Sequence, residues 1–228
     1  YTQNVFNHMT HKGDYFVFKF AASLMDIFSF ITYFVYLNLL WLLFSLLGLG
    51  LFGLAPATAS LIALTKELRE DKNYHGIQTF WHLYTSYFVK TNAYFLAGIA
   101  FFCLLLLNLR ITNVLLGGHH VLTVAYLAIG LLTFFVAWNL FFNIAKNPEL
   151  SVRENVSLSV FMLTRFPHLN LANALSVYTL WLLISQRSGL LLLCGASVAC
   201  YFTEFFHGRM IGKTKQLKKQ WNESCSQP

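Results

Sequence analysis

Leu47-Gly48-Leu49-Gly50-Leu51-Phe52-Gly53-Leu54-Ala55-Pro56 sets three glycines and a proline into an apolar run that otherwise extends from residue 22 to residue 65. A plain helix disfavours both residue types: glycine gives up the most backbone freedom, and proline lacks a donor and collides with the preceding turn. The run is therefore read as two segments, 22–46 and 47–65, the second returning along the first. Pro56 suits the first turn of a new helix, and from Pro56 to Arg69 such a helix rises only ~20 Å, less than the ~30 Å hydrocarbon core of a bilayer. Part of the return path is expected to be non-helical backbone at membrane depth, a re-entrant break around Gly48, Gly50, Gly53 and Pro56. Backbone of that kind is tolerated only inside protein or along a water-filled cavity. Two readings stand: an outer-leaflet turn with nothing bound, or a site where the positive end of the helix starting at Ala55–Thr58 meets a polar group.

The whole composition places this stretch in a membrane protein. Of 228 residues, 57% are hydrophobic, 17% aromatic and only 11% charged. That is too few charges to coat a soluble globule and too much apolar content for disorder. Further long apolar runs lie at 91–109, 121–145, 168–186 and 189–206. The first run is too long for the core of a signal peptide and is expected to remain as an anchor. The net charge of +7 does not point to nucleic acid, because the basic residues sit in the gaps between apolar runs rather than in one recognition stripe. Cys103, Cys194 and Cys200 lie inside apolar runs and Cys225 near the C-terminal end, with no CxxC pair; they are read as small apolar fillers.

With 47–65 counted as a crossing, six segments result, and 14 of the 16 basic residues fall on one side, leaving only Arg110 and Arg187 on the other. The positive-inside rule then puts both termini and the two longer loops in the cytoplasm. The expected fold is all-α, a polytopic helical bundle of about six membrane segments in three hairpins with cytoplasmic amphipathic helices. Its parts are a cytoplasmic N-terminal segment 1–21, one membrane domain 22–207 and a basic cytoplasmic tail 208–228. The hairpin units, 8–65, 76–145 and 152–207, are each entered past a basic residue beside aromatics, either a true repeat or the common look of helical hairpins. In the second unit Ile77, Phe80, Trp81, Tyr84 and Phe88 recur at helical spacing, an aromatic face suited to the inner headgroup level. In the third unit Val152, Val156, Val160 and Leu163 do the same before Pro167 bends the chain.

From Asn38-Leu-Leu-Trp41, through Ser45 and the three glycines, to Ala55-Pro56-Ala57-Thr58-Ala59 and a helical 61–69, the chain resembles the YesL-like family of bacterial integral membrane proteins. So does the aromatic run Phe80-Trp81, Tyr84 and Phe88 leading to Lys90-Thr91-Asn92. The resemblance is specific over 24–95 and hydropathic beyond. It implies a bacterial inner membrane location and an accessory role in carbohydrate uptake, since members are often encoded beside importers and polysaccharide hydrolases. It implies no reaction.

Other candidates follow from what lipid makes costly or close. Ala55, Ala59 and Ala63 form a small-residue stripe that lets backbones approach, so this helix is expected to be buried. Asp26 and Glu204 are the ionisable groups inside spans, expected to pair with Lys19, Lys90, Arg165 or Arg209 or, alternatively, to relay protons. Asn38, Asn108, Asn139 and Asn143 are read as hydrogen-bonding glue between helices. His119-His120 offers a metal at most two ligands, with no acid on that side. No HExxH, GxSxG or P-loop occurs. The expectation is a non-enzymatic membrane subunit without cofactor or metal. Its partners would be the bilayer, permease subunits of an ABC-type sugar importer, and in principle a second copy of itself. The rival is a small transporter or channel with its site in 47–65; an intramembrane enzyme would have to use Asp26 or Glu204.

Overall fold

The computed structural model describes residues 12–71, 76–115, 120–147, 149–186 and 188–225. These form seven α-helices: α1 (Lys12–Leu47), α2 (Leu51–Asp71), α3 (Ile77–Leu115), α4 (His120–Lys146), α5 (Val152–Arg165), α6 (Pro167–Ser185) and α7 (Ser188–Cys225), with no strand among the described residues. Among the described residues four stretches are long and apolar enough to cross a membrane: Ser23–Leu47 in α1, Leu51–Arg69 in α2, and the whole of α3 and of α4. The runs 168–186 and 189–206 are helical as well, within α6 and α7.

Helix α2 is the hub, packed against α1, α3, α4 and α7, while α3 packs on α4 and α6 on α7. The core gathers around it: Leu37, Leu61, Ile62, Leu64 and Phe80 are fully enclosed. A smaller cluster of Met162, Phe166 and Met210 joins α7 to the α5–α6 corner. That corner is made by Phe166, the one residue outside helix between Arg165 and Pro167, and Pro167 opens α6 where its missing N–H is harmless.

The sequence boundaries at 21/22, 90/91 and 207/208 are not breaks. Helix α1 runs unbroken across the first, α3 across the second and α7 across the third. No proline interrupts these stretches, and a helix once started propagates by one hydrogen bond per residue. The aromatic segment 77–90 is therefore the first part of α3, continuous with the apolar run that follows, and not a separate helix. Its inward face is Phe80, Tyr84, Tyr87 and Thr91, whereas Ile77, Trp81 and Phe88 are exposed. Phe44 of α1 captures that face, with its ring 5.0 Å from Phe80 and 5.3 Å from Tyr84. In α5 the valines 152, 156 and 160 point outward and Asn155, Ser159 and Met162 inward.

Candidate functional site

The glycine stretch is a tight turn rather than a broken helix. Only residues 48–50 lie outside helix, with Leu49 (φ 57°) and Gly50 (φ 73°) left-handed. Helix α2 resumes at Leu51 and Pro56 lies inside it. At ~1.5 Å per residue its length comes to about 31 Å, enough for a hydrocarbon core, so the expected stretch of non-helical backbone at depth is absent. The turn closes on itself: Gly48 donates to Phe44 O, Leu49 to Leu46 O, Gly50 to Ser45 O, and Gly53 and Leu54 to Gly50 O.

Each glycine does something different. A β-carbon on Gly53 would strike the carbonyl oxygens of Ser45 and Phe44, and one on Gly48 would strike the backbone of Gly53 and the Tyr84 hydroxyl. A β-carbon on Gly50 would meet nothing within 4 Å; only its left-handed φ favours glycine there. Pro56 survives inside α2 for a specific reason. Without an N–H it leaves the carbonyl four residues back unpaired, and Asn92 Nδ2 of α3 donates to that oxygen, Phe52 O, at 2.9 Å.

Below the turn, Ala55, Ala59 and Ala63 are buried as the stripe predicts, and so is Ala57 on the opposite face. Thr58 donates to Leu54 O at 2.7 Å and accepts from Trp41 Nε1 at 2.9 Å, tying α1 to α2. Ala55 and Thr58 also line a cavity of about 350 Å³ between α2, α3, α4 and α7, walled by Phe141 and Phe142 with Cys200 and Thr203 opposite. The Thr203 hydroxyl is buried and has no hydrogen-bond partner.

The next residue of α7 is the centre of an ion cluster. Glu204 is fully buried and bridges Arg69 Nη2 at 3.0 Å and Lys146 Nζ at 2.6 Å, joining the ends of α2 and α4. Arg69 and Lys146, which the sequence reading did not name, pair with it because α7 turns this face toward α2 and α4. Gly208 gives the Arg69 guanidinium its place: a β-carbon there would come within 2.6 Å of Nη2. His207, also buried, lies with its ring 5.6 Å from Phe142, and neither ring nitrogen has a hydrogen-bond partner. No spacing in the sequence announced Arg69, Lys146, His207 and Gly208 as one site, because they come from three helices. Asp26 is exposed and makes no ion pair among the described residues.

The asparagines divide. Asn38 Oδ1 accepts from two consecutive α7 backbone groups, Ala196 N at 3.0 Å and Ser197 N at 3.1 Å, tying α1 to the backbone of α7. Asn139 donates to Asn170 Oδ1 at 2.6 Å and Asn143 to Ser159 Oγ at 2.8 Å, fastening α4 to α6 and α5. Asn108 bonds only its own helix, at Leu104 O, and is exposed, so it does not bridge helices. Lys90 Nζ reaches Leu150 O at 3.4 Å. Outside the apolar segments, Ser151 caps α5 in a reciprocal box with Glu154, whose carboxylate accepts from Ser151 N and Oγ at 2.8 and 2.7 Å. Those hydrogen bonds hold the Glu154 carboxyl below its ordinary range. Among the described residues no three metal-ligating side chains converge; of the histidine pair, His120 is exposed and His119 lies outside them.

The turn, the proline and its Asn92 partner all fall within residues 34–109, which match the family described as "Protein of unknown function, DUF624". Three proteins of Bacillus subtilis (strain 168) are similar. Uncharacterized protein YteU is 47% identical over 60 residues, 26% of this chain and 27% of that protein. Uncharacterized protein YesV is 44% identical over 73 residues, 32% of this chain and 34% of that protein. Uncharacterized protein YesL is 27% identical over 171 residues, 74% of this chain and 80% of that protein. The similarity thus covers only about a quarter and a third of the first two relatives. No solved structure matches. The chain carries the DUF624 segment and is homologous to YesL, YteU and YesV, in keeping with a YesL-like family.

Proposed function

We propose that this protein is a non-enzymatic, multi-pass subunit of the bacterial inner membrane that assists or assembles a carbohydrate importer of the ABC type. The observation that carries the subunit reading is the upper part of α3 and α4. From Leu96 to Leu115 and from Val121 to Phe134 large apolar side chains are exposed in sequence, among them Phe101, Phe102, Leu104, Leu107, Leu127 and Leu131. Such a pair of helices offers another membrane protein a lateral docking surface, while the hub helix behind it is locked. The carbohydrate class rests on the family resemblance alone.

In this reading the chain crosses six times in three hairpins, with both termini in the cytoplasm, supported by the 14-to-2 division of basic residues. Single cysteines in a cysteine-free background test it: an impermeant thiol reagent outside intact cells labels Gly118→Cys and Ser188→Cys but not Asn73→Cys or Gln216→Cys. Labelling at position 73 overturns six crossings. For the subunit role, photo-crosslinkers at Leu104 and Leu127 in native membranes are expected to capture permease chains, and capture of lipid alone overturns it.

The cavity beside Ala55 and Thr58 favours a second reading, a small transporter. Purified protein reconstituted alone in vesicles would then move solute, and Thr58→Val would abolish the movement while crosslinks to other chains stayed absent.

A further inference from the structure

A second cavity, of about 320 Å³, lies on the other side of Trp138, between α4 and α6. At its base the hydrogen bond between Asn139 and Asn170 draws the two helices together. Further along, the helices leave a cleft walled by Phe134, Phe135 and Trp138 from α4 and by Tyr178 and Trp181 from α6. Tyr178 and Trp181 stack with centroids 6.2 Å apart and stand more than half exposed at its mouth. Leu171 and Leu175, beside it on α6, are exposed as well, so the cleft opens onto the apolar surface of the protein.

One polar group does not fit this environment. Asn173 lines the cleft, is only 3% exposed, and its Oδ1 has no hydrogen-bond partner. The neighbouring Asn170 is fully engaged: its Oδ1 accepts from Asn139, and its Nδ2 donates to Met162 O and Phe166 O. Leaving a buried amide oxygen unpaired is costly, and more so where lipid replaces water. No charged side chain lines the cleft, so the missing partner is neutral. A hydroxyl meets every condition, since it donates to the amide oxygen and would equally accept from the amide nitrogen if the group were turned.

We propose that the α4–α6 cleft binds a neutral lipid alcohol from the bilayer, with its hydroxyl on Asn173 and its apolar body against Trp138 and Trp181. The volume holds roughly ten groups of water size, taking ~30 Å³ for each, which is the head and first carbons of such a molecule. The site borders the docking surface at Phe134 and the cavity beside Thr58 at Phe134 and Trp138, but it requires neither reading.

The test uses the full chain in lipid nanodiscs and two probes, 2-bromoundecan-1-ol and 2-bromoundecane, whose bromine, next to the hydroxyl-bearing carbon in the alcohol, quenches tryptophan fluorescence. The alcohol is expected to quench at about tenfold lower concentration than the alkane, one hydrogen bond's worth of preference. Asn173→Leu should erase that preference, and Trp181→Phe, at the exposed mouth, should remove much of the alcohol-specific signal. Equal quenching by the two probes in the unmodified protein overturns the proposal, and that comparison holds even if Asn173→Leu does not fold. A preference that survives Asn173→Leu, or that is untouched by Trp181→Phe, puts the hydroxyl elsewhere and overturns it too.

Discussion

Helix α2 and the upper part of the α3–α4 pair are both apolar and both long enough to cross a bilayer, yet 67% of the apolar stretch of α2 is buried, against 6% for α3 and none for α4. Hydrophobicity runs the other way, the buried α2 being the least apolar of the three, because a lipid tail is as good a neighbour for leucine as another leucine. Size and hydrogen bonding separate them. Helix α2 presents alanines, Ser60 and Thr65 with hydroxyls turned back onto Pro56 O and Leu61 O, and glycines at its entrance. The α3–α4 pair presents leucine and phenylalanine, which hold neighbouring backbones apart.

The comparison is tested first where α2 ends. Glu204→Leu strands Lys146 in a buried site and should lower stability by about 3–5 kcal/mol, measured by unfolding in detergent micelles. Adding Lys146→Met to that variant should recover most of the loss; no recovery would mean that packing, and not charge, holds the three helices together.

Gly53→Ala forces a β-carbon against two carbonyl oxygens and should fall at the upper end of the ~1–3 kcal/mol of overpacking. Gly50→Ala meets no atom and should show only the roughly 1–2 kcal/mol of a left-handed residue. Gly98→Ala and Gly130→Ala, in the outer pair, add a β-carbon that meets nothing and should leave stability unchanged or raise it by up to about 1 kcal/mol. A large loss at Gly98 would mean the outer pair is not free. Asn92→Ala leaves Phe52 O unpaired beneath Pro56 and should lose about 1–3 kcal/mol. Pro56→Ala restores the missing N–H, so the double variant should lose less than Asn92→Ala alone; additive losses would dissociate the asparagine from the proline.

The smallest effect is at the α5 cap, far from either region. The Glu154 carboxyl is held below its ordinary range when folded, so its contribution is present above the unfolded carboxylate range near ~4.3 and fades as pH falls through the lower folded value. Amide exchange across 152–156 should accelerate on that acid limb, and Ser151→Ala should flatten the dependence.

How far the sequence could be read follows from the same physics. Helices, the burial of the Ala55-Ala59-Ala63 stripe and the bridging roles of Asn38, Asn139 and Asn143 were legible, since each depends on local spacing or on the scarcity of polar groups in apolar runs. Pro56 misled because a proline at a helix start and a proline excused by a distant amide look alike in one dimension. The excuse, Asn92, comes from another helix. Glu204 could be recognised as needing a partner, but the choice of Arg69 and Lys146 depends on how α7 is rotated against α2 and α4, which no spacing along α7 encodes. The aromatic face of 77–90 was visible, but its destination, Phe44, was not.

Asn38 draws α1 onto α7 across a separation of 158 residues along the chain. Until Ala196 and Ser197 arrive, its amide oxygen has neither of those donors, and Lys146 likewise waits for Glu204. With α1 to α6 in the bilayer and α7 not yet docked, Asn38 lacks these two donors and Lys146 lacks the carboxylate that meets it. Docking of α7, and not insertion of the earlier helices, is the step that ties α1, α2 and α4 together through Glu204 and the Asn38 bonds.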